Sequence, residues 1–167
     1  MAITKIQSES LNLSDNYDFT GTVTGAGGNM KPAFYSTSSG NQSTTTNTWT
    51  KVAINSEIFD TDNTYDATTN YRFTPTTAGK YFIFSSIYWS SIPDNVLLLQ
   101  VIRKNNAEEV ISLKTTGRTD DQTMECFFIG EANGTTDYFE VYAMQQSGSN
   151  KNLASGNQRF GAYKIIE

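Results

Sequence analysis

The chain has 167 residues, a net charge of −5 and a pI of about 4.7, with 37% hydrophobic and 13% aromatic side chains, no histidine and one cysteine. That length suits one domain, and the acidic balance excludes a groove of Lys and Arg for nucleic acid. The missing histidine removes Ser-His-Asp and Cys-His catalysis and His-ligated zinc, and a lone Cys126 allows no intrachain disulfide. Ser, Thr and Asn make up roughly a third of the residues, and with so many aromatics this suits pleated strands rather than helices.

Residues 1–30 read as a unit apart from the rest. Leu11, Leu13, Phe19 and Val23 are separated by polar residues, and Gly25, Gly27 and Gly28 follow. Too few apolar groups are present for a core, so the segment is either an extended attachment arm with a glycine hinge or a tail without fixed structure. Its opening, MAITKIQSESLNLSD, lacks the apolar core of a secretory signal, so the expectation is synthesis in a cytoplasm without export by that route.

From residue 31 the pattern is short strands between turns. Strands are predicted at 32–35, 48–55, 71–74, 80–90, 95–103, 109–114, 124–131, 137–145 and 157–166. Polar connections fill 36–47 and 60–70. The segment KYFIFSSIYWS (80–90) carries apolar groups in both phases of its alternation, which predicts that both of its faces are covered. Asn105-Asn106 reads as a turn joining two hairpin strands, and Asn133-Gly134 as a second hairpin. No run approaches the roughly 20 apolar residues of a membrane span, so no membrane insertion is expected. The fold class is all-β, an antiparallel two-sheet sandwich or jelly roll over 31–167.

The segment FDTDNTYDATTNYRFTPTTAGKYFIFSSIYW resembles the signature of the complement C1q globular head, a jelly roll of the tumour necrosis factor superfamily. Asp60, Tyr65, Phe73, Gly79 and Tyr81 carry the match, and NTWTKVAIN, TTDYFEVYAMQQSGS and FGAYKII fall where that family has strands. Departures are Ile83 and Ser85 at aromatic positions, a Tyr65-to-Phe73 gap one residue longer, and a displaced glycine in Phe160-Gly161-Ala162-Tyr163. The resemblance implies packing of three copies about an axis. The aromatic surplus agrees, because Tyr81, Phe82, Tyr88, Trp89, Phe127, Tyr142, Phe160 and Tyr163 are too many for one core and are the expected trimer-interface residues. The arm also resembles N-terminal segments of small structural proteins of tailed phages from marine bacteria.

Function is therefore expected to be structural. The first reading is a bacteriophage virion protein, a trimeric capsid decoration or cement protein. Its arm residues Ile3, Ile6, Leu11, Leu13, Tyr17 and Phe19 would dock on major capsid or tail subunits. The alternative is a tail-fibre or spike knob that recognises a host surface glycan or protein. Neither reading needs a catalytic residue, metal or cofactor. Asp60, Asp62 and Asp66 in one loop, and Asp120 and Asp121 in another, have the oxygen ligands Ca²⁺ takes but lack a calcium-loop glycine and glutamate, so they read as solvated turns. Trp49 and Trp89 read as core rather than sugar platforms, and Cys126 as a small buried hydrophobe.

Overall fold

A computed structural model of the chain describes residues 30–166. In chain order its strands are β1 (Ala33–Thr37), β2 (Gln42–Thr44), β3 (Thr50–Lys51), β4 (Ser56–Asp60), β5 (Tyr65–Asp66), β6 (Arg72–Phe73), β7 (Ala78–Ile92), β8 (Leu97–Lys104), β9 (Ala107–Thr115), β10 (Asp120–Asn133), β11 (Phe139–Gln145), β12 (Lys151–Leu153) and β13 (Arg159–Ile166). They form two antiparallel sheets. The first runs β2-β12-β7-β13-β1-β4, with β10 on the other side of β7, and the second runs β5-β6-β11-β8-β9, with β3 also on β11. The expected all-β sandwich is what forms.

Alternation decides which groups meet between the sheets. On β7 every odd residue from Tyr81 to Trp89 is buried and every even one from Phe82 to Ser90 is only half-buried. Tyr81, Ile83, Ile87 and Trp89 pack with Phe34, Phe73, Leu98, Ile102, Phe139 and Phe160 in one apolar cluster. Within it Phe34 stacks on Tyr65 at 4.4 Å and on Phe73 at 4.7 Å. Such ring pairs add roughly 0.5–1.5 kcal/mol each beyond the area they bury.

Of the two expected turns, one forms and the other does not. Asn105 (φ 51°) and Asn106 (φ 69°) form a two-residue turn with both residues left-handed, closing Lys104 onto Ala107. Asparagine tolerates that region, and the turn matches the strand twist. Asn133-Gly134 is not a hairpin. β10 pairs with β7, whereas β11 lies in the other sheet, so 134–138 cross between layers. The Asn133 side-chain oxygen accepts from the backbone N–H groups of Thr135, Thr136 and Asp137. Gly134 has φ 73° where the chain passes the Thr77–Ala78 backbone too closely for a side chain. Asn105 fastens the crossover, donating to Asp137 at 2.7 Å and accepting from the Tyr138 N–H at 3.0 Å.

Other boundaries shift. The 48–55 region is strand only at Thr50–Lys51, the polar stretches predicted as connections contain β2 and β5, and β4 falls almost wholly in the unassigned residues between them. The short β12 was also not expected. These pieces are two to five residues long and largely polar, and their pairing with longer strands defines them rather than their own composition.

Candidate assembly surface

The outer face of the first sheet carries side chains that no other described residue covers. Cross-strand register places Phe127 beside Phe84, Gly161 between Phe84 and Tyr35, and Phe59 beside Tyr35. The neighbouring row holds Ile129, Phe82 and Tyr163. Ring contacts knit these into one patch: Tyr35–Phe59 at 6.4 Å, Tyr35–Phe84 at 6.2 Å, Phe82–Phe84 at 6.0 Å, Phe82–Phe127 at 6.3 Å and Phe82–Tyr163 at 5.6 Å. Phe127 and Ile129 are each 63% exposed, Phe59 49% and Tyr163 38%. At ~200 Å² for a whole side chain, the patch leaves about 500 Å² of apolar surface in water. A patch of that size marks an interaction surface.

Gly161 makes the surface flat. A Cβ there would stand 2.8 Å from Phe84 Cε1 and 3.1 Å from the Phe34 carbonyl oxygen, so only glycine lets the Phe84 ring lie across β13. A dent of about 250 Å³ lies beside it, lined by Phe82, Phe84, Ser86, Glu125 and Phe127.

The eight expected interface aromatics separate into three groups. Phe82, Phe127 and Tyr163 lie in the patch. Tyr81, Trp89 and Phe160 do not, because all three are fully buried in the subunit's own core and cannot touch a second copy. Tyr88 shares the outer face with the patch, but its hydroxyl donates to Asp121 at 2.5 Å. That bond raises the Tyr88 phenol pKa and, together with the Ser91 N–H, lowers that of Asp121. Tyr142 lies on the second sheet. Sequence reasoning missed Tyr35, Phe59, Phe84 and Ile129. The signal for Phe84 was present, since it shares the phase of Phe82 along one strand. The arm residues Ile3, Ile6, Leu11, Leu13, Tyr17 and Phe19 lie outside the described residues.

The second sheet's outer face is covered by its own side chains around Glu140, while Ile111 and Leu113 of β9 stay exposed beside them. Glu140 is fully buried and accepts from Lys51 Nζ at 2.7 Å and from Arg72 Nη2 at 2.6 Å. Burial pushes the Glu140 carboxyl up, and the two cations more than offset this, leaving it below the usual range. Arg103 lies over the Tyr142 ring at 4.5 Å and the Trp49 ring at 5.2 Å, so Trp49 is a cover on this face rather than part of the core. Leu99 and Val101 are buried on this face.

The acidic loops behave as turns. Asp60 accepts from the N–H groups of Asp62 and Tyr65 and from the Thr64 hydroxyl. Asp66 accepts from the backbone N–H groups of Thr68, Thr69 and Asn70, which hold its carboxyl well below the usual range. Asp120 pairs with Arg118. Among the described residues no group of three or more His, Cys, Asp or Glu is placed to hold a metal ion, and no helix is long and apolar enough to cross a membrane. Cys126 is buried, with its thiol pKa raised by burial.

No family model and no curated protein matches the chain. Solved structures do. The globular domain of zebrafish complement 1qA matches with a TM-score of 0.61 at 11% identity, over 82% of this chain and 99% of that one. Murine APRIL matches with a TM-score of 0.61 at 10% identity, over 80% of this chain and 98% of that one. PRD1 vertex protein P5 matches with a TM-score of 0.58 at 13% identity, over 83% of this chain and 99% of that one. At such identities the likeness is one of fold, and it agrees with the sheet order described above: the chain folds as a jelly roll of the C1q and tumour necrosis factor type.

Proposed function

We propose that the protein is a structural component of a bacteriophage virion, a homotrimer displayed at the particle surface and anchored through residues 1–30. The observation that carries this reading is the contiguous aromatic patch on the first sheet, larger than the two exposed aliphatic side chains of β9 and covered by none of the described residues. One face needs a partner, and a cyclic assembly of identical copies supplies it without exposing a new sticky surface. Burying about 500 Å² per subunit contributes on the order of 12 kcal/mol before the costs of ordering and association. Likeness in fold to PRD1 vertex protein P5 supports the virion context. The proposed role works by burial rather than chemistry, and the reading is non-enzymatic.

Within the virion, the first choice is a capsid decoration or cement protein. Three arms on one trimer would dock Ile3, Ile6, Leu11, Leu13, Tyr17 and Phe19 on capsid subunits and gain avidity from being linked. The likeness to a vertex protein favours a second reading, a knob on a vertex spike or tail fibre that meets a host surface glycan or protein. Copy number separates the two, since a decoration protein follows the capsid lattice and a knob follows the few vertices or fibres. Deleting residues 1–28 tests the anchor. The truncated protein should remain a folded trimer and lose particle binding, and retained binding would refute the arm's role.

A further inference from the structure

The outer face of the first sheet is charged asymmetrically, and this selects how copies meet. Its β10 side presents Asp121, Glu125 and Glu131 outward with no cation. The β13, β1 and β4 side carries Arg159 in its outward rows, and its exposed carboxylate, Glu57, stands in register with the inward-facing Ser36 instead. Of the three, Asp121 is hydrogen-bonded within the subunit, accepting from the Tyr88 hydroxyl and the Ser91 N–H, and Glu131 has a cation, Lys80, opposite it in register without forming an ion pair. Glu125 stands across from Ser86, and among the described residues it has no hydrogen bond or ion pair. It also lines the dent beside Phe127.

Register places Arg159 at the same height as Glu125. One row across the sheet reads Glu125, Ser86, Arg159, Thr37 and Ser56, directly adjoining the row of Phe127, Phe84, Gly161, Tyr35 and Phe59. The guanidinium is held in place, with Nη1 donating to Thr37 Oγ1 at 2.7 Å and to the Gln158 carbonyl at 3.1 Å. A symmetry axis running across the strands would lay β10 on β10, carboxylates against carboxylates. An axis along the strands keeps each row level, and it lays the β10 side of one copy on the β13–β1 side of the next. Only the second arrangement pairs opposite charges while closing the aromatic rows on each other.

Resting on the homotrimer reading above, we propose that Glu125 of each copy receives the Arg159 guanidinium of the next, three such ion pairs setting the register of the ring about an axis parallel to the strands. A charge-swap cycle on the full-length protein tests this by sedimentation equilibrium. Glu125→Arg should raise the trimer dissociation constant about 1000-fold, at roughly tenfold per interface. Arg159→Glu should do the same, and the double variant should recover to within about tenfold of the wild type. Should Arg159→Glu fail to fold, for want of its bonds to Thr37 and Gln158, Glu125→Gln at low and high salt decides. The wild-type constant should then weaken steeply with salt and the variant constant should not. A wild-type trimer that Glu125→Arg leaves intact overturns the ion pair while preserving the trimer. A wild-type monomer overturns the trimer itself.

Discussion

Replacing Phe127 with Ser isolates the contribution of the aromatic patch. Phe127 is 63% exposed in the subunit, so about 130 Å² of ring goes from water to protein if the patch is sealed. At ~25 cal/mol per Å² this is about 3 kcal/mol per copy and about 9 kcal/mol per trimer. The trimer association constant should fall by up to about six orders of magnitude. The isolated subunit should stay folded, because a side chain in water contributes little to its stability, within about 0.5 kcal/mol. Leu113→Ser is the matched control. Leu113 is 58% exposed on β9 of the other sheet, and its loss should leave assembly unchanged. Sedimentation equilibrium gives the association constants, and circular dichroism at the same concentrations reports folding. Equal effects of the two substitutions on assembly, or none from Phe127→Ser, would refute the assignment of the interface to the first sheet.

Gly161→Ala should cost about 1–3 kcal/mol through overpacking against Phe84 and the Phe34 carbonyl; adding Phe84→Leu should restore thermal stability but not assembly. Glu140→Gln should lower stability by about 2–3 kcal/mol in denaturant titration, less than for a wholly buried pair, since Lys51 and Arg72 are each 29% exposed and regain water. Gln100 is fully buried with neither amide atom hydrogen-bonded, so Gln100→Met should raise stability by about 1–3 kcal/mol, and a destabilised variant would show that the amide has a buried solvent partner. For pH, Asp66, Asp137 and Glu140 all have lowered carboxyl pKa values in the folded chain. Their stabilisation is fully present above the unfolded values of about 3.9–4.3 and is lost as pH falls through the folded ones. With no histidine, the denaturant midpoint should be level from about pH 8 to 5 and decline below about 4.

The sequence made the long strands legible and their inward phase illegible. β7, β8, β9 and β11 show as apolar segments of strand length, and Asn105-Asn106 announces its own turn. Tyr81 and Phe82, however, are consecutive in a strand and must point to opposite faces. Placing both at one interface ignored that alternation. Which phase faces inward is set across strands, where Ala162 and Phe160 on β13 bury and Gly161 and Tyr163 face out. Asn133-Gly134 misled because hairpin chemistry describes two residues, while the sheet that β11 joins is fixed by its pairing with β8 and β6. Phe59 lay between the predicted strand at 48–55 and the polar connection at 60–70, and its place in the patch depends on the irregular β1–β4 pairing that shifts register between Tyr35 and Ser36.

The strands give the sandwich two unlike ends. Met30, the Asn105-Asn106 turn and the 134–138 crossover gather at one, beside the starts of β1 and β7. The opposite end consists of the loops at 38–41, 93–96, 116–119, 146–150 and 154–158, rich in Ser, Gly and Asn. A side chain added at Gly40, Gly117 or Gly148 would meet nothing within 4 Å. Foreign peptides spliced at Gly40 or Gly117 would therefore be presented at the pole opposite Met30, which makes these loops natural sites for display.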